Sequence, residues 1–202
     1  MAELAIAFYV AYLALAFGLR SFVQWRSTGS TGFVGIGGRP LSAEWLAGVL
    51  FAVALVLGAA APALALADVL EPIGALDIEA LHIAGIVLAL LGIAATLYAQ
   101  ISMGDSWRIG VDSSERTELV TDGPFALVRN PIFSAMIPTA LGLALMVPSA
   151  LAIAGFFALV VALELQVRIV EEPYLLQAQG AAYAKYAAQT GRFVPGVGTL
   201  RP

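Results

Sequence analysis

Two short polar segments carry the residues of this chain whose types and spacing could do chemistry. The first contains Arg129 and Asn130, at the entrance to a long apolar stretch. The second contains Arg168, Glu171 and Glu172, after the next apolar stretch. A guanidinium binds a carboxylate with two parallel hydrogen bonds, and a carboxylate accepts protons or holds hydroxyl and ammonium groups. Together, these side chains could bind a polar ligand at the edge of an apolar region.

The composition argues against several other kinds of site. The chain has no cysteine and a single histidine, His82, which excludes thiol catalysis, disulfides and cysteine-based zinc sites. One histidine also argues against a His-cluster metal site or a Ser-His-Asp triad, so we expect no metal. The net charge is −4 at pH 7 and the sequence has no basic patch, so we expect no nucleic-acid partner.

The apolar stretches that must position these residues have the character of membrane helices. The chain is 60% hydrophobic and 12% charged, whereas soluble domains are about 25% charged. A helix that crosses a bilayer needs about 20 apolar residues, and four to five stretches qualify. They are residues 4–23, 45–67, 81–101, the short 132–147, and 150–167. We therefore predict an all-α, polytopic membrane protein with about five transmembrane helices.

The basic residues predict the orientation in the membrane, because Lys and Arg concentrate in cytoplasmic loops. Five spans place all ten on one side, and the opposite loop, 68–80, has four acidic residues and no basic one. The ten are Arg20, Arg26, Arg39, Arg108, Arg116, Arg129, Arg168, Lys185, Arg192 and Arg201. We therefore expect the amino terminus outside a bacterial plasma membrane, and the carboxyl terminus and the active site in the cytoplasm.

Glycines predict two further features. The glycine-rich segment 28–40 joins two apolar spans and reads as a cytoplasmic connector that could fold against a site, rather than as a phosphate-binding loop. Gly85, Gly92 and Gly142 lie within spans, where small residues let helix backbones approach closely.

Each polar segment also has a simpler interpretation as a helix end. Arg129 obeys the positive-inside rule, and Asn130 precedes a proline, as a helix cap would. Arg168, Glu171 and Glu172 are spaced to share one helix face, so they could form an interfacial salt bridge. Pro173 then fits the first turn of a new helix.

The two segments together contain two motifs in order. The first reads Gly123-Pro124-Phe125, then Arg129-Asn130-Pro131-Ile132-Phe133. The second reads Arg168-x-x-Glu171-Glu172-x-x-Leu175, Gly180-x-x-Tyr183-x-x-Tyr186 and Arg192-x-x-Pro195. They resemble the isoprenylcysteine carboxyl methyltransferase family of integral membrane enzymes, over about residues 96–198. Asn130 stands where that family has histidine, so this position could bind a ligand without exchanging protons.

The length of the chain allows a single integral membrane domain, 1–202, and the resemblance implies how it is divided. Within it, residues 1–95 would form amino-terminal transmembrane helices and residues 96–198 the catalytic region. A carboxyl-terminal cytoplasmic helix would close a cofactor pocket.

The implied cofactor is S-adenosylmethionine, and the implied partners are the bilayer and a lipophilic small-molecule acceptor. The predicted cofactor contacts are Gln100, Val120, Phe125, Val128, Arg129, Asn130, Glu172, Tyr183 and Tyr186. Of these, Arg129 and Asn130 would hold polar parts of the cofactor, and the apolar residues would line its adenine.

The predicted catalytic residues are Arg168, Glu171 and Glu172. Arg168 with Glu171 would orient the acceptor at the lipid-side entrance. Glu171 or Glu172 would act as the base for an amine or hydroxyl acceptor, whereas a carboxylate would need none.

Other functions remain open at this point. A membrane reductase on a related scaffold would bind NADPH instead, and a non-enzymatic membrane subunit would use the polar segments only to end helices. The sequence also leaves open whether the acceptor is a carboxyl, thiol, amine or hydroxyl group, and the oligomeric state.

Overall fold

The structure is a computed structural model that describes residues 1–33, 35–107 and 119–200. Within those residues it contains six main helices and no strand, which confirms the all-α prediction. The helices are α1 (Ala2–Thr28), α2 (Ala43–Leu66), α3 (Glu79–Met103), α4 (Pro131–Met146), α5 (Ala150–Gln179) and α6 (Ala181–Gln189). Arg108, Arg116 and Arg201, used above for orientation, lie outside the described residues.

Four of these helices, α1, α2, α3 and α5, are long and apolar enough to cross a membrane, as expected of an integral membrane protein. Helix α4 has only 16 residues, or about 24 Å at about 1.5 Å per residue. The turn between α4 and α5 nevertheless reaches the α2–α3 loop, because the Ile73 amide donates to the Pro148 carbonyl at 2.7 Å. Ser149 caps α5 by accepting from the Ala152 amide.

Helix α5 differs from the prediction at its carboxyl end. Pro173 starts no new helix; α5 continues to Gln179 and includes a π-helical segment, Gln166–Glu171. A π turn bonds i to i+5 and interrupts the regular hydrogen-bond ladder, and Pro173, which has no N–H to donate, follows that interruption. Gly180, with φ of 54°, then separates α5 from α6.

Helices α3 and α4 pack backbone against backbone. A Cβ added to Gly142 would lie 2.5 Å from the Gly85 carbonyl oxygen, and one added to Gly92 would lie 2.2 Å from Thr139 Oγ1. The prediction that these glycines allow close helix packing is confirmed. Since a side chain cannot fit at either position, α4 is fixed against α3, and the residues before α4 are fixed with it.

We expect Gly142→Ala to destabilise the protein by about 1–3 kcal/mol, the usual cost of overpacking, because the opposing atoms are main-chain atoms that cannot swing away. Gly18→Ala is the matched control, since its added Cβ would have its nearest neighbour at 3.9 Å. Thermal unfolding of both variants in detergent tests this. Equal melting temperatures would contradict the close packing.

A buried apolar cluster joins α1, α2, α4 and α5. Its fully buried members are Tyr12, Ala16, Ala54, Met136, Leu159 and Leu163. The cluster brings the amino-terminal helices α1 and α2 against the carboxyl-terminal pair α4 and α5, so both halves of the chain surround the space described next.

Candidate functional site

A cavity of about 700 Å³ lies between the six helices, within the range of small-molecule sites. Most predicted site residues line it: Gln100, Val120, Phe125, Arg129, Asn130, Glu171, Tyr183 and Tyr186. Val128, Arg168 and Glu172 lie elsewhere. The structure therefore brings residues from the two polar segments into one place.

An ion cluster of Arg129, Glu172 and Arg192 supports the wall of the cavity. Arg129 Nη2 donates to Glu172 Oε1 at 2.6 Å. Arg192 donates to the same carboxylate from Nε at 2.8 Å and from Nη2 at 2.9 Å. All three residues are buried, and the hydrogen bond to Glu172 raises the pKa of Arg192. Glu172 is thus held by two guanidiniums, so it positions other residues and is not free to act as a base.

Arg129 also anchors the carboxyl-terminal segment 187–198, the tail, by hydrogen bonds to its main chain. Its Nη1 donates to the carbonyls of Ala187, at 3.1 Å, and Thr190, and its Nη2 donates to that of Gly198 at 3.0 Å. In the described part of the chain, only its Nε has no partner. Arg129 Nη1 and Nη2 are therefore occupied within the chain, which leaves Nε for the cofactor contact predicted for Arg129.

The side-chain amide of Asn130 is also occupied by a hydrogen bond within the chain. Its Nδ2 donates to the Arg192 carbonyl at 3.1 Å, and its backbone amide donates to the same oxygen. It is the residue before α4, as predicted, but its side chain makes no capping hydrogen bond. Ser134 Oγ reaches the Phe193 carbonyl at 2.8 Å. The first polar segment and the start of α4 thus bind the tail through main-chain carbonyls of Arg192 and Phe193.

Three aromatic residues form one side of the cavity. The Tyr186 hydroxyl donates to the Phe125 carbonyl at 2.5 Å, and the rings of Tyr183 and Tyr186 meet edge to face at 6.1 Å. Burial raises the pKa of each tyrosine to about 12, so both hydroxyls stay protonated at neutral pH. Val128, predicted to join this side, instead pairs its backbone with Gly191.

The second segment splits between two faces of α5. Glu171 lines the cavity, with Gln166 Nε2 at 3.5 Å. Arg168 is 56% exposed and pairs with Glu164, one turn before it. The predicted Arg168–Glu171 pair is therefore wrong. The π segment explains this, because one extra residue in a turn rotates the following side chains by about 100°.

One basic and one acidic residue of the site, Arg192 and Glu44, were not predicted as functional residues. Arg192 belongs to the second motif, but the motif assigned it no role. Glu44 lines the cavity at the start of α2, where the glycine-rich connector folds over it: a Cβ on Gly37 would lie 2.3 Å from Glu44 Oε1. Phe33, Gly35 and Ile36 of the connector also line the cavity. A glycine run followed by a carboxylate was the available signal.

Trp107 also belongs to the site. It is buried and lines the cavity, and the Arg20 guanidinium stacks on its ring at 4.8 Å. Arg20 additionally donates to the Gly104 carbonyl. These contacts join α1 to the carboxyl-terminal end of α3, and they place Trp107 in the wall of the cavity.

Half of the chain is similar to a known protein family. Residues 80–182 match the family described as phospholipid methyltransferase. The match covers half of the chain and includes Arg129, Glu171 and Glu172, but it ends before Arg192. No curated protein sequence matches the chain significantly.

Proposed function

Because the chain belongs to the phospholipid methyltransferase family, whose members are membrane-associated enzymes acting on lipid-like substrates, we propose that it methylates a lipophilic acceptor using S-adenosylmethionine. The observation that carries the proposal is the cavity, which joins the polar motif residues to apolar walls from the membrane helices. A methyl donor is polar and an acceptor lipid is apolar, and this cavity offers both surfaces.

The residues present fit S-adenosylmethionine. Arg129 Nε is a buried donor without a partner at the cavity wall. Arg129, Arg192 and Glu172 together leave one net positive charge, which favours a carboxylate. Glu171 can hold an ammonium or ribose hydroxyl group, and Val120, Phe125 and the two tyrosines can enclose an adenine. When bound, the cofactor would supply an electrophilic methyl group on a sulfonium.

The chain's own contribution is to align the reacting groups. Displacement at a methyl group needs the acceptor atom in line with the bond that breaks, so positioning carries much of the rate. An amine or hydroxyl acceptor must also lose a proton. Glu171 is the only one of the three predicted catalytic residues that lines the cavity without a bound guanidinium, so we assign it that role.

We place the cofactor end of the cavity in the cytoplasm of a bacterial cell, with five membrane crossings and the amino terminus outside. The contact between Ile73 and Pro148 supports a fifth crossing, since it joins the α4–α5 turn to the acidic loop at the opposite end. Arg20, Arg129 and Arg192 all lie at the cofactor end, as the positive-inside rule requires. The tail and α6 then close the cavity from the cytoplasmic side.

Calorimetric titration of the detergent-purified protein tests the cofactor. We expect heat of binding with S-adenosylhomocysteine, the demethylated form, and none with NADPH. Binding of NADPH alone would favour a reductase on this scaffold. Binding of neither compound would favour a non-enzymatic subunit, and either result would overturn the proposal.

A further inference from the structure

Three buried polar side chains lie deeper in the bundle, away from the motif residues. Tyr12 on α1, and Thr96 and Gln100 on α3, are 5%, 0% and 3% exposed. In the described part of the chain, Gln100 Oε1 has no hydrogen-bond partner, and the hydroxyls of Tyr12 and Thr96 have none except each other. Polar groups inside a membrane bundle are costly unless satisfied, so these atoms require an explanation.

The three residues form one group. Gln100 Nε2 donates to the Ala16 carbonyl at 2.8 Å, and the Tyr12 side chain lies beside Thr96. Ala16 follows Tyr12 by one turn of α1, and Gln100 follows Thr96 by one turn of α3. Because the two contacts occur in the same order along both helices, α1 and α3 run parallel here. The carbonyl of Ala16 also fixes the orientation of the Gln100 amide, since only the NH₂ end can donate to it. The unused atom of Gln100 is therefore an acceptor.

Tyr12 and Gln100 both line the cavity. Of the charged residues that line it, Glu44 and Arg129 lie at helix ends, and Glu171 lies at the end of the π segment of α5. The deeper wall around Tyr12 is apolar and includes Phe51, Met136 and Leu163. A ligand group at this depth must therefore be uncharged, and it must bring a hydrogen-bond donor for Gln100.

We infer that Tyr12 and Gln100, backed by Thr96, form a second, uncharged polar site that binds a hydroxyl group of the lipophilic acceptor. A hydroxyl group donates to Gln100 Oε1 and can also accept from a tyrosine hydroxyl. An ester carbonyl can accept only, and a hydrocarbon chain leaves Gln100 Oε1 unpaired. This inference rests on the proposed function for its identification of the ligand as the acceptor.

The depth of this site sets the shape of the acceptor. Tyr12 packs in the same cluster as Leu163, which precedes Glu171 by eight residues on α5. At about 1.5 Å per residue, that is on the order of 12 Å. The acceptor would therefore carry its hydroxyl group on the order of 12 Å along the molecule from the methylated atom.

Photolabelling of the purified full-length protein tests the site. Three probes share one chain and one diazirine: hexadecanol, methyl hexadecanoate and hexadecane. We expect the wild type to prefer the alcohol over the hydrocarbon by about tenfold, the effect of one to two hydrogen bonds, with the ester in between. Tyr12→Phe and Gln100→Leu should each lose most of this preference. Tyr98→Phe, which removes an exposed hydroxyl from α3, should keep it.

The stability of the ligand-free protein separates a binding role from a structural one. Tyr12→Phe removes a hydroxyl whose one neighbouring polar group in the described part of the chain is the Thr96 hydroxyl, so the melting temperature should change little. Tyr9→Phe removes the hydroxyl that donates to the Leu55 carbonyl at 2.5 Å, so its melting temperature should fall. A fall for Tyr12→Phe as large as that for Tyr9→Phe would overturn the inference.

Two other outcomes would also overturn it: equal labelling by all three probes, as expected if water fills the site, and labelling by the ester at least as strong as by the alcohol. Titration with S-adenosylhomocysteine keeps the two proposals apart. If S-adenosylhomocysteine binds while the preference for the alcohol is absent, only the inference of a polar site is rejected. If it does not bind while the preference persists, the polar site stands and the methyltransferase proposal fails.

Discussion

Replacing Arg129 with alanine is expected to release the carboxyl-terminal segment from the bundle. The change removes the donors to three tail carbonyls and one of the two guanidiniums that hold the buried Glu172. Breaking a buried ion pair on one side costs about 3–5 kcal/mol. We therefore expect a large fall in melting temperature and rapid proteolysis at residues 187–198, with loss of cofactor binding as a consequence.

Arg168→Ala is the matched control, because it removes an arginine from an exposed pair with Glu164. Such surface pairs contribute about 0–1 kcal/mol, so its stability and tail protection should match the wild type. If Arg129→Ala kept a stable, protected tail and lost only the affinity for S-adenosylhomocysteine, Arg129 would act only as a cofactor ligand, and the description of it as a tail anchor would be wrong.

Glu171→Gln is expected to reduce methyl transfer by about 100-fold or more, the usual contribution of a general base. The amide keeps the size of the carboxylate and can keep a contact with Gln166, but it cannot accept a proton. Titration with S-adenosylhomocysteine should show a much smaller change than turnover does. Both quantities can be measured on the same purified preparation.

Glu172→Gln gives the contrasting result, because Glu172 holds two buried arginines. It should lower the melting temperature and reduce turnover in proportion to the fraction unfolded. Glu171→Gln should leave the melting temperature nearly unchanged. Equal turnover of Glu171→Gln and wild type would show that the acceptor needs no base, as for a carboxylate.

The helices could be predicted well from hydropathy alone, because long apolar stretches leave few alternatives in a membrane. The end of α5 could not. A proline after a polar turn usually starts a helix, and nothing local shows that a π segment will let α5 continue through Pro173. The π segment also explains the error in the site, because the spacing of Arg168 and Glu171 places them on one face only in a regular α-helix.

The site residues were mostly brought together as the motifs implied, but their partners were not predictable. Arg129 was assigned to a cofactor alone, because the sequence does not show that it also bonds to carbonyls of residues 187–198. Glu44 and Tyr12 were missed because they lie in the amino-terminal half, outside both motifs. Long-range contacts of this kind depend on how helices pack, and a single sequence gives no direct signal for them.

The central claim is that the cavity transfers a methyl group from S-adenosylmethionine to a lipid. It is tested most directly by incubating the purified protein with methyl-tritiated cofactor and a total membrane lipid extract, then counting label in the organic phase. We predict label above background for the wild type and for Arg168→Ala, and close to background for Glu171→Gln. No organic-phase label with any of the three proteins would contradict the account.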